Sequence, residues 1–265
     1  MDGGTRQQAY DRGHTIFSPD GRLYQVEYAR EAVERGSPAV GVRTGEGVVL
    51  AARKRLRSPL LEAESVAKIH RIDDHLAVAS AGHAADARRL VESARVASQR
   101  HWLRYDEPMP AGSLTTTLAD EVQERTQTGG ARPYGAALLI GGVDAETASR
   151  DDGKMGDERG DEEAEDERYR LFEVDPSGTP YGWRATAIGS GSAGLCGYLE
   201  AELTGTARSA WTADHAAALA LDALTSDDEP EAVPDALECW TLGPEPSIDR
   251  HSSTEIADLL ASGAS

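Results

Sequence analysis

The sequence predicts an α/β protein of four layers, an α/β/β/α sandwich with two mainly antiparallel sheets between pairs of helices. Three observations predict it. Short strand-like runs follow one another with only turn residues between them, as hairpins require. Two segments of helical period come after each main group of strands. The resulting order is helix, strands, two helices, strands, two helices, strand, and two helix pairs cover the outer faces of two stacked sheets. A chain of 265 residues with 39% hydrophobic content supports one large folded core and is not a disordered chain.

The elements follow in order. Residues 1–9 are polar and contain Gly3-Gly4, so a flexible tail is expected. Phe17-Ser18-Pro19-Asp20-Gly21 reads as a turn, with proline fixing one φ and Asp-Gly supporting the reversal. Leu23, Val26, Ala29 and Val33 recur at helical spacing and Gly36 supplies the stop. Strands are predicted at Ala39–Val42 and Gly47–Ala52, joined through Thr44-Gly45-Glu46-Gly47, and at Val66–Ile72 and His75–Ser80, joined through Asp73-Asp74. A helix from Ala84 to about Trp102 places Ala87, Leu90, Val91, Ala94 and Ala97 on one face. A second, Leu114–Arg125, is expected to start after Ser113 as N-cap. Strands resume at Ala136–Gly142, Tyr169–Val174 and Arg184–Ile188. Between the first two, about residues 145–167, large apolar residues are almost absent, and a disordered acidic insertion in a hairpin is expected. Helices at Ala193–Leu203 and Ala213–Thr225, a strand at Leu237–Leu242 and a helix opened by a Ser252-x-x-Glu255 capping box complete the chain.

Charge narrows the function classes. Forty-six acidic residues face 27 basic ones, a net charge of −19. Such a chain repels nucleic acid, so no nucleic-acid partner is expected. The segment 151–170 has ten acids and four bases, yet the rest of the chain still carries −13, so the acidity is distributed. Distributed acidity suits a high-salt cytoplasm, where surface carboxylates keep a protein hydrated. No run approaches the roughly 18 apolar residues of a membrane span, and Met1–Gln8 lacks the apolar core of a secretory signal. A cytoplasmic location without membrane contact is expected. Cys196 and Cys239 stand outside any metal-binding spacing and are expected as two buried free thiols.

The string from Tyr10 through Gly36, YDRGHTIFSPDGRLYQVEYAREAVERG, resembles the N-terminal signature of proteasome α-type subunits. GVVLAARKR at 47–55, GGARPYG at 129–135 and ATAIGSGS at 185–192 extend the resemblance in order along most of the chain. The resemblance implies the sandwich of N-terminal-nucleophile hydrolases in a non-catalytic form. It implies a tail over 1–9 that gates a pore, and a single domain over 10–265. The implied partners are α subunits in a heptameric ring, of the same chain or a paralogue, β-type catalytic subunits, an ATPase activator ring and unfolded polypeptide substrates. No cofactor is implied. Tyr10, Asp11, Arg12, Pro19 and Tyr28 match the cluster that sets the gate. A phenol, a carboxylate and a rigid turn can exchange hydrogen bonds and give a tail two settings. Lys68 matches the lysine that receives the activator's terminal carboxylate, a task suited to a compact ammonium. Gly36 matches a glycine near that pocket, where a partner's backbone comes close. Gly129, Gly130 and Arg132 match the pore annulus, with Thr128 where the family often carries tyrosine.

Rival readings have weaker support. Gly189-Ser190-Gly191-Ser192-Ala193-Gly194 spells G-x-G-x-x-G between a strand and a helix, as in nucleotide-binding oxidoreductases. That fingerprint needs a parallel βαβ unit and an acid ending a strand, whereas Asp214 opens a helix. Gly4-Thr5 resembles the processing point of a threonine hydrolase. Such a nucleophile needs a free α-amine at the start of the first strand, near Ser37, and a whole helix precedes that position.

Overall fold

The computed structural model describes residues 17–18, 21–144, 168–204, 211–225, 233–244 and 247–263. Its helix α1 spans Tyr24–Glu34 and leads into the hairpin β1 (Ala39–Arg43) and β2 (Val48–Arg53). β3 (Ile69–Asp73) and β4 (Leu76–Gly82) form the next hairpin, followed by α2 (Ala84–Tyr105) and α3 (Ala111–Gln127). β5 (Ala136–Val143), β6 (Tyr169–Val174), β7 (Pro180–Gly182) and β8 (Ala185–Ile188) precede α4 (Ser192–Leu203) and α5 (Ala213–Thr225). β9 (Leu237–Leu242), β10 (Ile248–Arg250) and α6 (Ser253–Gly263) end the described chain.

Among the described residues, ten strands make two five-stranded sheets, ordered β10-β9-β2-β1-β8 and β3-β4-β5-β6-β7, with every pairing antiparallel. Alternation along the strands divides the core into three layers. Val48, Leu50 and Ala52 of β2 meet Ala77, Ala79, Ala137 and Leu139 of the other sheet between the two sheets. Val49 and Ala51 point the other way, onto α4, α5 and α6. Leu76, Val78, Leu138 and Ile140 face α2 and α3. The expected α/β/β/α sandwich is therefore the observed one. The sheets pack closely enough that a Cβ at Gly41 would lie 2.7 Å from the Leu171 side chain. α1 caps an end of this sandwich, with Val33 joining the layer between the sheets.

The tertiary structure moves several boundaries. The strand expected from Val66 begins at Ile69, since Val66 ends a short 3-10 turn at Ala63–Ser65. α3 starts at Ala111 rather than Leu114: the Ala111 amide donates to Asp144 Oδ1 at 2.7 Å, and Ser113 lies inside the helix. The short edge strands β7 and β10 fall where the sequence reading placed no strand. Cys239 is buried, as expected, but Cys196 is only half-buried; both thiols are free. The Ser252–Glu255 capping box forms as predicted, with the Ser252 amide on Glu255 Oε2 at 2.7 Å. The insertion at 145–167 and the tail at 1–9 lie outside the described residues. No helix among the described residues is long and apolar enough to cross a membrane.

Candidate functional site

The link between α1 and β1 is where the predicted site residues converge. α1 ends at Glu34, and the Gly36 amide donates to the Val33 carbonyl at 2.8 Å. A Cβ at Gly36 would stand 2.2 Å from the Gly82 amide nitrogen, so glycine is required by the chain's own β4–α2 corner. The backbone that approaches Gly36 within this chain is that of Gly82. Gly189 serves the same crossing from the other side. Its φ is +96°, and a Cβ there would meet the Ser37 carbonyl at 2.8 Å. The Ser190 amide donates to the Gly36 carbonyl at 2.7 Å. The opening of the G-x-G-x-x-G string, Gly189-Ser190, thus packs against the α1–β1 link, and β8 beside it runs antiparallel to β1.

Lys68 reaches into this junction. Its Nζ donates to the Ser37 carbonyl at 3.0 Å, which places Lys68 and Gly36 on neighbouring residues of one small site. Burial pulls the amine's pKa down to about 8, and the charge of Glu238 acts in the opposite direction. The amine faces the main-chain oxygen of Ser37, and the Ser37 nitrogen is an amide within a continuous chain.

Sequence reasoning missed the residues that hold Lys68. Glu238 Oε2 accepts the Lys68 and Ile69 amides, both at 2.9 Å, and this explains why β3 starts at Ile69. Lys54 Nζ lies 3.6 Å from Glu238 Oε1 and donates to the Ala63 carbonyl at 3.2 Å. A signal was available: Glu238 is the single charged residue in the strand LECWTL, and a charge in a buried strand needs partners.

The loop between α3 and β5 carries the predicted annulus residues. Gly129 and Gly130 stand exposed with no atom within 4 Å of a notional Cβ, and Gly130 has φ +84°. Arg132 turns back to the body. Its Nη1 and Nη2 meet the two oxygens of Asp86 at 2.6 and 2.8 Å, and Asp86 also accepts the Gly135 amide at 2.9 Å. Burial alone would raise the Asp86 pKa, but the Arg132 and Gly135 hydrogen bonds outweigh it and hold the carboxyl below its ordinary value. Tyr134 completes the base of the loop through Glu121 Oε1 at 3.0 Å and the Arg125 guanidinium over its ring.

Of the predicted gate residues, Tyr28 is described, half-exposed on α1. Tyr10, Asp11, Arg12 and Pro19 lie outside the described residues, as does Thr5. The Gly21 amide donates to the Ser18 carbonyl at 2.8 Å, with Gly21 at φ +76°. α1 itself is fastened by Arg30, whose Nη2 lies 2.7 Å from Asp175 Oδ2 in the β6–β7 turn.

A family profile described as "Proteasome subunit" matches residues 33–150 and 163–233, and a second profile, for the N-terminal signature of A-type proteasome subunits, matches residues 10–32. The chain belongs to the proteasome subunit family. The signature marks it as α-type, in agreement with the resemblance read from Tyr10 onward. It is 50% identical to the alpha 1 proteasome subunit of Haloferax volcanii, over 98% of this chain and 96% of that one. It is 48% identical to the alpha proteasome subunit of Natronomonas pharaonis, over 91% and 85%, and 46% identical to the alpha 1 proteasome subunit of Haloarcula marismortui, over 99% and 94%. These are halophilic archaea, and the distributed charge of −19 is the physical counterpart of that kinship in the proteasome chain. The α-type signature runs directly into α1, so the proteasome-specific part of the sequence abuts the Gly36–Lys68 junction.

Proposed function

We propose that this proteasome α-type chain is a non-catalytic subunit of a heptameric α ring of the 20S core, where it forms the gated substrate entrance and the docking surface for an ATPase activator in the cytoplasm. The observation that carries the reading is the α-type signature at 10–32, continuous with α1 and the Gly36–Lys68 junction. Lys68 is the docking cation for the activator's terminal carboxylate. Gly36 allows the tight crossing that sets the floor of the pocket. Gly129 and Gly130 form the exposed rim of the annulus, and Arg132 braces that rim against Asp86. Tyr10, Asp11, Arg12, Pro19 and Tyr28 hold the tail, residues 1–9, in one of two settings. Neighbouring α chains, identical or paralogous, complete the ring. The β-type subunits supply the nucleophile, and unfolded polypeptide is the substrate.

The arrangement of groups fits this division of labour. α1 precedes the first strand where a threonine hydrolase would begin, and an activator pulling on Lys68 acts close to the end of that helix. A small preference of the activator for the open setting then suffices to shift the tails. Removal of residues 2–9 is the direct test. In particles assembled with β subunits, the truncation should raise hydrolysis of an unfolded protein without activator and leave that of a very short peptide little changed. Equal rates for truncated and intact particles on unfolded protein would refute the gate.

A further inference from the structure

Glu238 sits at the start of β9, opposite Ala52 of β2, and its carboxylate is nearly enclosed: 14% of its side chain is exposed, and 9% of that of Lys54. One oxygen binds two consecutive amides, those of Lys68 and Ile69, and the other faces Lys54. A carboxylate in this position fixes where the Lys68 segment lies and places a negative charge beside the Lys68 stem. The charge is unusual for the site: Lys68 is expected to meet a carboxylate from outside, and a second carboxylate is already built in behind it.

We propose that Glu238 is the positioning residue of the docking site, holding the Lys68 segment by two main-chain amides and supplying the counter-charge to its amine whenever no external carboxylate is bound. This rests on the docking role given to Lys68 above. The groups facing Lys68 are few. Glu238 approaches from β9, with Lys54 behind it after β2. His70 lies two residues along β3, with a pKa driven down to about 4 by burial, then Arg95, then Lys68, so it is neutral near pH 7. From the α1–β1 link comes the neutral Ser37 carbonyl. Burial has already lowered the Lys68 pKa to about 8, and Glu238 is the charge that opposes the fall.

The sign follows. Docking a carboxylate needs the ammonium, so binding is full below the pKa of the unliganded Lys68 and weakens as pH rises through it. Removing the Glu238 charge lowers that pKa, so the weakening begins at lower pH, with up to about a tenfold loss of affinity for each pH unit by which the onset moves. Glu238→Gln removes the charge yet keeps a carbonyl oxygen for the two amides, so a purely structural role would leave the pH onset where it was.

The experiment uses assembled α rings and a short fluorescent peptide carrying the C-terminus of the host's own proteasomal ATPase, with its C-terminally amidated twin as control. Binding is read by polarisation from about pH 6 to pH 9, a range that brackets the Lys68 transition. The parent should bind the free-acid peptide with an affinity that declines near pH 8, and Glu238→Gln should decline earlier. Should the Gln variant not assemble, Glu238→Asp keeps the charge but withdraws it by one methylene. It should bind more weakly, with an onset lowered by less than removal of the charge would lower it, and binding equal to the parent's at every pH would overturn the proposal. Coincident profiles for Glu238→Gln and the parent would also overturn it, provided Lys68→Ala abolishes binding. If Lys68→Ala binds like the parent, it is the docking role of Lys68 that fails, and the proposal falls with it.

Discussion

Replacing Asp86 by alanine should loosen the loop between α3 and β5 and measurably destabilise the chain. Asp86 lies in the first turn of α2, is buried, and accepts three hydrogen bonds, two from Arg132 and one from the Gly135 amide. In the alanine variant the enclosed Gly135 amide loses its acceptor, which costs about 1–3 kcal/mol. The Arg132 side chain is 58% exposed, so water screens the ion pair and its loss adds only about 0.5–1 kcal/mol. The sum is about 1.5–4 kcal/mol. For a domain of this size, about 2–4 °C per kcal/mol makes that a fall in Tm of roughly 3–16 °C. Asp86→Asn retains one acceptor for Gly135 and loses the charge, so it should fall by only about 1–4 °C. Calorimetry on the isolated chain at fixed concentration checks both. The pH dependence gives a second reading. Asp86 is held below its ordinary value, so its contribution is full above the unfolded carboxylate pKa of about 3.9 and is lost as pH falls through the lower folded value. The gap between parent and Asp86→Asn should therefore be constant near neutrality and close only in strong acid. An alanine variant melting within about 1 °C of the parent would refute the bracing role.

Three further outcomes follow from the same structure. Gly36→Ala should destabilise the chain severely, because its Cβ meets the Gly82 backbone at 2.2 Å, and unfolding by denaturant will show a lowered midpoint with unchanged slope. Val143 pairs with Tyr169 and the Asp144 amide donates to the Arg168 carbonyl at 2.8 Å, so the β5–β6 ladder closes across residues 145–167; replacing that segment by a short turn should leave Tm and ring assembly unchanged, and a drop of about 10 °C would show a structural role. With a net charge of −19, ring assembly should require salt, and gel filtration across a salt series should show rings dissociating at low ionic strength.

The sequence made the layered fold legible wherever periodicity reports burial. Val26, Ala29 and Val33 of α1, and Leu90, Val91 and Ala94 of α2, are the buried face that helical spacing predicts. The errors arise where a distant residue decides a boundary. β3 begins at Ile69 because Glu238, 169 positions away, takes its amide, and α3 begins at Ala111 because Asp144 takes its first free N–H. The short edge strands β7 and β10 bury little and leave no apolar pattern to read. Lys68 and Gly36 were singled out through resemblance, and the folded chain places both at the α1–β1 link. Their supports, Glu238 and Lys54, depend on contacts between strands far apart in sequence and became visible only in the folded chain. Arg132 was read as part of the annulus; its guanidinium is engaged with Asp86, which gives it a bracing task at the base of that loop.

Electron microscopy of the purified full-length chain in high salt tests the central claim most directly. An α-ring subunit should appear as closed rings of seven-fold symmetry with an axial opening, and the same preparation should cleave no peptide until β subunits are added. Monomers or open assemblies that hydrolyse peptides unaided would contradict the account.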